Sequence, residues 1–333
     1  MRQHSLRILA YGLVLVSVLF PFIADAAESG YLVPTASRIL IYALAAVSLN
    51  LLVGYVGLVS LGHAAYLGVG AYVVGILAFH ADAGSTVLGI PGTVQGLLSI
   101  PAAVLLSALV ALVIGALCLR TSGIFFIMIT LAFGQMIFFM MVSLERYGGD
   151  DGLFMYAGPN RLGALDLSNE WTFFYVCLTL LAAFLLLCRW LIRSRFGRAL
   201  GAIRQNEARM TTLGANVYRY KLAIFVIAGA GAGLAGALLA NQASYVSPDM
   251  LHWTRSGELL FMVILGGSGT LVGPVLGGAS FLLLEEYLPV GFGAAGLETL
   301  KEHWRIVFGP ILILVMLFFR RGIYGLLTGE DRS

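Results

Sequence analysis

Long apolar runs alternate with short polar breaks along the whole chain. Runs near the ~20 residues that cross a bilayer as a helix lie at about 6–24, 38–56, 58–79, 97–119, 123–143, 172–190, 221–241, 257–271, 272–288 and 304–319. The pattern predicts an all-α polytopic membrane protein with about ten transmembrane spans (8–10), both termini cytoplasmic, forming one transmembrane domain over 1–333. A β-barrel would show alternating segments of ~10 residues, and none is visible. Glycine and proline interrupt the two short runs between 257 and 288.

The largest break is "RWLIRSRFGRALGAIRQNEARMTTLGANVYRYK", residues 189 to 221. It holds eight basic residues and one acid, Glu207. A single Arg costs ~2.5–3.5 kcal/mol at the bilayer centre on insertion scales, so this island is a cytoplasmic connection. At about 100° per residue, Phe196, Leu200, Ile203, Met210 and Gly214 fall on one stripe,. Arg198, Arg204 and Arg209 fall off it, and Glu207 falls at its centre. The spacing predicts an amphipathic helix over 196–214, lying along the membrane or against a partner. A carboxylate on the apolar stripe needs a partner. Arg204, three residues back, is one; a cation on another protein is the other.

Composition agrees with the span pattern. The chain is 59% hydrophobic and 11% charged, against roughly 25% charged in a soluble domain. A net charge of +3 says little, but 8 of the 20 basic residues lie in the island. No soluble domain presents the basic, aromatic face that nucleic-acid binding needs. Basic residues orient the spans. Arg2, Arg7, Arg120, the island, Arg320 and Arg321 fall on one side when the count is even. Most acids, including Asp25, Glu28, Asp82, Asp150, Asp151, Asp166, Glu170, Asp249 and Glu298, fall on the other. A rival reading makes residues 1–26 a signal peptide cleaved near Ala24-Asp25-Ala26,. That would leave nine spans and the N-terminus outside. Cys118, Cys177 and Cys188 have neither metal spacing nor a disulfide pattern,; they read as small buried hydrophobes, and no metal site is expected.

Two segments are unusually rich in glycine. "LNLLVGYVGLVSLGHAAYLGVGAYVVGIL" covers 49–77 and "MVILGGSGTLVGPVLGGAS" covers 262–280. Small residues let membrane helices approach closely. The segments also read as helix breaks, because matched breaks in two halves of a chain point to a translocation path. Polar residues beside them, Asn50, Ser60 and His63, with Gln135 in the fifth span and Gly266 and Gly267 in the second segment, are the candidate path residues. Helix-to-helix bonding is the alternative for Asn50 and Gln135. A proton relay through His63 would need membrane carboxylates, and Glu258, Glu285 and Glu286 read as lying near span ends.

"SRFGRALGAIRQNEARMTTLGANVYRYK" resembles the cytoplasmic coupling loop of bacterial branched-chain amino acid ABC importers, in their LivM-type permease subunit. The two Gly-rich segments resemble that family's N-terminal and C-terminal signatures. The resemblance covers about 38–321. It departs after Ala208, where Arg209, Met210 and two threonines replace a further small residue.

The resemblance implies a multi-pass bacterial inner-membrane subunit that translocates Leu, Ile and Val. It implies a second homologous permease, two cytoplasmic ABC ATPase subunits and a periplasmic substrate-binding protein as partners. Arg198, Arg204, Asn206, Glu207 and Gly214 would carry the coupling loop at 191–220, with Gly214 ending its short helix. Asp150 and Asp151, in a turn with Gly148, Gly149 and Gly152, would meet basic residues of the binding protein or stay solvated. The chain has no phosphate loop of the G-x-x-x-x-G-K-(S/T) type,. It is therefore not expected to be an enzyme or to bind a cofactor; ATP and Mg²⁺ would sit on the partners. Membrane lipid is the expected contact of Arg189–Arg198. Urea, short amides or other amino acids are alternative cargoes. An ion-coupled secondary transporter, or a channel or scaffold, are alternative classes.

Overall fold

Hydrocarbon offers backbone groups no water, so a chain this apolar satisfies them within helices. The computed structural model describes residues 20–21, 30–87, 89–156, 158–163, 165–294, 296, 301, 303–318 and 322–328. Its helices are α1 (Leu32–Val53), α2 (His63–Asp82), α3 (Gly96–Cys118), α4 (Ile124–Val142), α5 (Glu170–Arg193), α6 (Arg195–Gln205) and α7 (Glu207–Thr212). Then follow α8 (Val217–Ala243), α9 (Trp253–Gly266), α10 (Gly273–Ala294), α11 (Trp304–Phe318) and α12 (Gly322–Thr328). The few strands are two-residue pairs in the loops.

Seven of the described helices are long and apolar enough to cross a membrane: α1 to α5, α8 and α10. This corrects the expected ten. The expected span at 6–24 lies outside the described residues except Phe20 and Pro21, as do Ala24, Asp25 and Ala26. The segments at 257–271 and 304–319 are real helices but short. α9 has 14 residues and α11 has 15. At 1.5 Å per residue α9 reaches only about 21 Å, against a hydrocarbon core of ~30 Å, and α11 is described only as far as Phe318. Gly267 stops α9, and its backbone takes a φ of 112°.

The centre is built from α1, α2 and α8, which are mostly buried. Glycine sets how near they come. A Cβ on Gly70 of α2 would enter the Gly233 backbone of α8, and one on Gly236 of α8 would enter the Leu67 backbone. This is close packing through small residues. The Ser107 hydroxyl of α3 adds a 3.1 Å bond to the Tyr66 carbonyl. By contrast α3 and α4 keep large apolar side chains exposed, among them Leu105, Leu109, Phe125 and Phe139. Cys118, Cys177 and Cys188 are free and buried, as expected of small hydrophobes.

Candidate functional site

The chain leaves helical structure at 54–62, between α1 and α2, and again at 267–272, between α9 and α10. Both breaks fall in the Gly-rich segments, and the fold brings them together. Asn50, buried on the last turns of α1, reaches across. Its Nδ2 donates to the Thr270 carbonyl at 2.7 Å, and its Oδ1 accepts from the Gly269 N–H at 2.9 Å. One amide side chain thus serves a donor and an acceptor that the second break would leave unpaired. Gly54 lies so close that a Cβ there would meet Asn50 Oδ1 and the Gly269 nitrogen. Thr270 braces its own turn, donating to the Gly267 carbonyl at 2.8 Å and accepting from Gly273 N–H at 3.1 Å.

The polar loop arrives at this same point. Arg204 of α6 donates from Nη1 to the Gly54 carbonyl. A Cβ on Gly269 would lie 3.6 Å from that Nη1, and one on Gly57 would lie 3.6 Å from the Arg204 stem. A side chain of the polar loop therefore grips the unwound backbone where the two breaks meet.

The loop itself corrects the expected single helix over 196–214. Asn206 adopts an extended conformation, and its Oδ1 accepts from the Arg209 N–H at 2.9 Å. Asn is a strong N-cap, so it ends α6 and starts α7. Ser194 caps α6 in the same way through the Gly197 N–H. Leu200 and Ile203 are buried and Phe196 stacks on Tyr220, so the apolar stripe holds over α6. Glu207 does not lie at its centre. It opens α7, 54% exposed, and pairs with Lys221 Nζ at 2.5 Å rather than with Arg204. Gly214, at φ 82°, ends α7 as expected. The Ala215 N–H returns to the Met210 carbonyl and the Gly214 N–H to the Thr211 carbonyl, a left-handed cap,. Arg198 is exposed on α6.

His63 and Ser60 lie beside the joint, buried. The Ser48 hydroxyl donates to the Ala45 carbonyl at 2.7 Å, so it accepts from His63 Nε2–H at 2.8 Å. His63 Nδ1 and the Ser60 hydroxyl have no partner among the described residues. The Ala64 N–H, one of the free donors at the start of α2, is taken by the Ser256 hydroxyl of α9 at 2.8 Å,. Gln135 on α4 keeps a buried Nε2 without a partner among the described residues and is not joined to this network. Gly266 packs against α10, where its Cβ would enter the Gly273 backbone.

At the opposite end, Asp150 and Asp151 are exposed in a 3₁₀ turn between Gly148 and Gly152. Gly148, Gly149 and Gly152 all have positive φ, a backbone that glycine adopts freely. Tyr245 fixes this turn by donating to the Asp151 carbonyl at 2.6 Å. Nearby, the Asp166 carboxyl is held below the usual carboxylate range, chiefly by the Ser168 backbone N–H.

Sequence reasoning missed a set of charges. α1 begins at Leu32, so Arg38 lies inside it, not at its edge. α10 runs on to Ala294, so Glu285 and Glu286 lie inside it rather than near its end. Arg38 and Glu286 face each other across 3.9 Å. The signal was present: an Arg six residues into an apolar helix. The spans had been started too late to see it.

Residues 31–316 match the family described as "Branched-chain amino acid transport system / permease component". The chain is 26% identical to the high-affinity branched-chain amino acid transport system permease protein LivM of Salmonella typhimurium, over 93% of this chain and 73% of the relative. The LivM protein of Escherichia coli K12 gives the same identity and the same coverage. A probable branched-chain amino acid transport permease protein LivH of Methanocaldococcus jannaschii is 30% identical over 46% of each chain. No solved structure matches. The relatives' names describe permease components of more than one kind, LivM and LivH, which implies a second permease partner. The permease family match together with the seven apolar helices makes this a multi-pass inner-membrane protein. By the match over nearly its whole length, the chain belongs to the family of branched-chain amino acid transport system permease components.

Proposed function

We propose that this chain is the translocating subunit of an ATP-driven importer of branched-chain amino acids. It forms one permease domain, with the 191–220 loop as the joint to two cytoplasmic ABC ATPases and a second permease beside it. A periplasmic binding protein delivers Leu, Ile or Val. The chain performs no catalysis; ATP and Mg²⁺ belong to the ATPases. The observation that carries this reading is the bond from Arg204 to the Gly54 carbonyl. It links the polar loop to both broken segments, so a push on α6 and α7 reaches the membrane joint without crossing a flexible linker. The exposed surface of α7, with Glu207, Arg209 and Leu213, is the docking face; Leu213 is 73% exposed. Lipid headgroups meet Arg189 and Arg193, beside a Trp190 that is 72% exposed, as expected at a membrane interface,. Asn50, Ser60, His63, Gln135, Gly266 and Gly267 belong to or flank the path, and Asp150 and Asp151 receive the binding protein.

The test is affinity purification from native membranes of the intact chain and of a version with 196–214 scrambled, followed by uptake assays. An ATPase and a second hydrophobic subunit should accompany only the intact chain. Leu, Ile and Val should compete with one another for uptake. Competition by urea alone would overturn the substrate, and no ATPase with either version would overturn the coupling.

A further inference from the structure

A cavity of about 220 Å³ lies where α1 starts and α8 ends. That is the liquid volume of roughly seven waters at ~30 Å³ each, room for a small solute. Three charged side chains line it: Arg38 of α1, Arg255 of α9, and Asp249 of the 3₁₀ turn before α9. Leu67, Leu239, Met250 and Leu259 supply the apolar wall.

The charges are only partly matched to one another. Arg255 donates from Nη1 to Glu258 Oε2 at 2.8 Å. Arg38 stands 3.9 Å from Glu286 and 5.8 Å from the centre of the Tyr42 ring. A guanidinium carries five N–H donors in a fork that suits a carboxylate. One carboxylate contact leaves donors on each Arg for the cavity. Arg38 lies inside the apolar helix α1, where an ionisable group is costly and marks a functional site, and the exposed Asp249 faces it from its turn. An anion alone would not call for Asp249, and a cation alone would not call for two arginines. A solute with both charges and an aliphatic body fits all three features.

The site is separate from the joint described above. Arg38 precedes Gly54 by sixteen residues of one helix, about 24 Å at 1.5 Å per residue,. Its inner wall is closed. Leu259 is fully buried and Leu67 nearly so, and just below them α2 and α9 are tied by the Ala64–Ser256 bond.

We propose that this cavity is the reception site for the zwitterion of an aliphatic α-amino acid. Arg255 and Arg38 take the carboxylate, Asp249 takes the ammonium, and the leucine and methionine wall takes the side chain. The site rests on the amino-acid importer reading and adds to it the place where the free solute is held after release into the permease.

The assembled importer tests this in proteoliposomes, with a Met250→Cys substitution labelled by a maleimide. The three native cysteines are buried and give little background. Three solutes are added in turn: leucine, isoamylamine without the carboxylate, and 4-methylpentanoate without the amine. Leucine should slow labelling several-fold and neither analogue should. Adding Asp249→Asn should abolish that protection, and Arg255→Lys should weaken it, while both variants still bind the ATPase. Equal protection by all three solutes would reduce the cavity to an apolar pocket and overturn the proposal. So would unchanged protection in the Asp249→Asn protein. ATP-driven leucine uptake without protection overturns the site and leaves the function standing. No leucine uptake by the importer that keeps Met250 overturns the function, and the ligand class with it.

Discussion

The two ends of α1 are built in opposite ways. At the end beside the polar loop, polar groups are bonded to one another: Asn50 to Gly269 and Thr270, Thr270 to Gly267, Arg204 to Gly54. Backbones there are too close for a Cβ at Gly54. At the other end, Arg38, Asp249 and Arg255 surround an open volume. The first arrangement is close-packed, the kind of contact that is bistable rather than continuously soft, which is what the proposed coupling role requires. The second can admit a solute because its donors are not exhausted. One helix thus carries a close-packed polar contact at one end and an open charged cavity at the other.

Glycine offers the sharpest way to break that contrast. Gly54→Val would push side-chain carbons into Asn50 and the Gly269 backbone, whereas Gly257 on α9 has open space around it. Overpacking costs about 1–3 kcal/mol where side chains can shift; backbone cannot shift as readily, so Gly54→Val should exceed that. The expected outcome is a collapse in the monodisperse yield of Gly54→Val and a near-normal yield of Gly257→Val. Equal yields would mean that the backbone at Gly54 is no tighter than α9 at Gly257.

Asn50→Leu comes next. It keeps much of the volume and removes both bonds to the second break. Leaving a buried donor and a buried acceptor unpaired costs about 1–3 kcal/mol each. The protein should still insert and still bind its ATPase, but its unfolding temperature should drop and ATP-driven uptake should fall at least tenfold. Wild-type uptake in this variant would show that the two breaks need no clasp.

The polar loop gives graded effects. Arg204→Ala removes the only bond among the described residues from α6 to the unwound backbone of α1. Uptake should fall about tenfold with the ATPase still attached, and Arg204→Lys should recover part of it. Glu207→Ala breaks an exposed pair with Lys221, worth about 0–1 kcal/mol in itself. Its uptake loss should be a few-fold and should track weaker ATPase binding. Normal uptake in both alanine variants would end the coupling assignment.

Much of this was legible in the sequence, for physical reasons. Apolar runs at bilayer length mark helices whatever they pack against, so α1 to α5, α8 and α10 were all anticipated. The density of glycine marked both breaks. What periodicity could not reveal was length deficit: α9 looks like a span until Gly267 stops it after 14 residues. Nor could a 100° stripe anticipate that Asn206 would cap rather than continue. The stripe placed Glu207 by assuming one helix, and the kink turned it to Lys221. The meeting of Asn50 with Gly269 joins positions 219 residues apart. Matched breaks in two halves hinted that the segments share a role, but no local pattern encodes that contact.

The smallest effect expected is at Asp150 and Asp151. Both are exposed on a turn whose three glycines hold positive φ, and Tyr245 pins that turn through the Asp151 backbone rather than its carboxylate. Replacing both with Asn should therefore leave the fold and the turn unchanged. Charges of this kind steer encounter more than they hold a complex together. The double variant should need a few-fold more binding protein to reach half-maximal uptake at low salt. The difference should shrink as ionic strength rises toward 0.15 M, where the screening length is about 8 Å. An equal requirement at low salt would mean that the binding protein lands elsewhere.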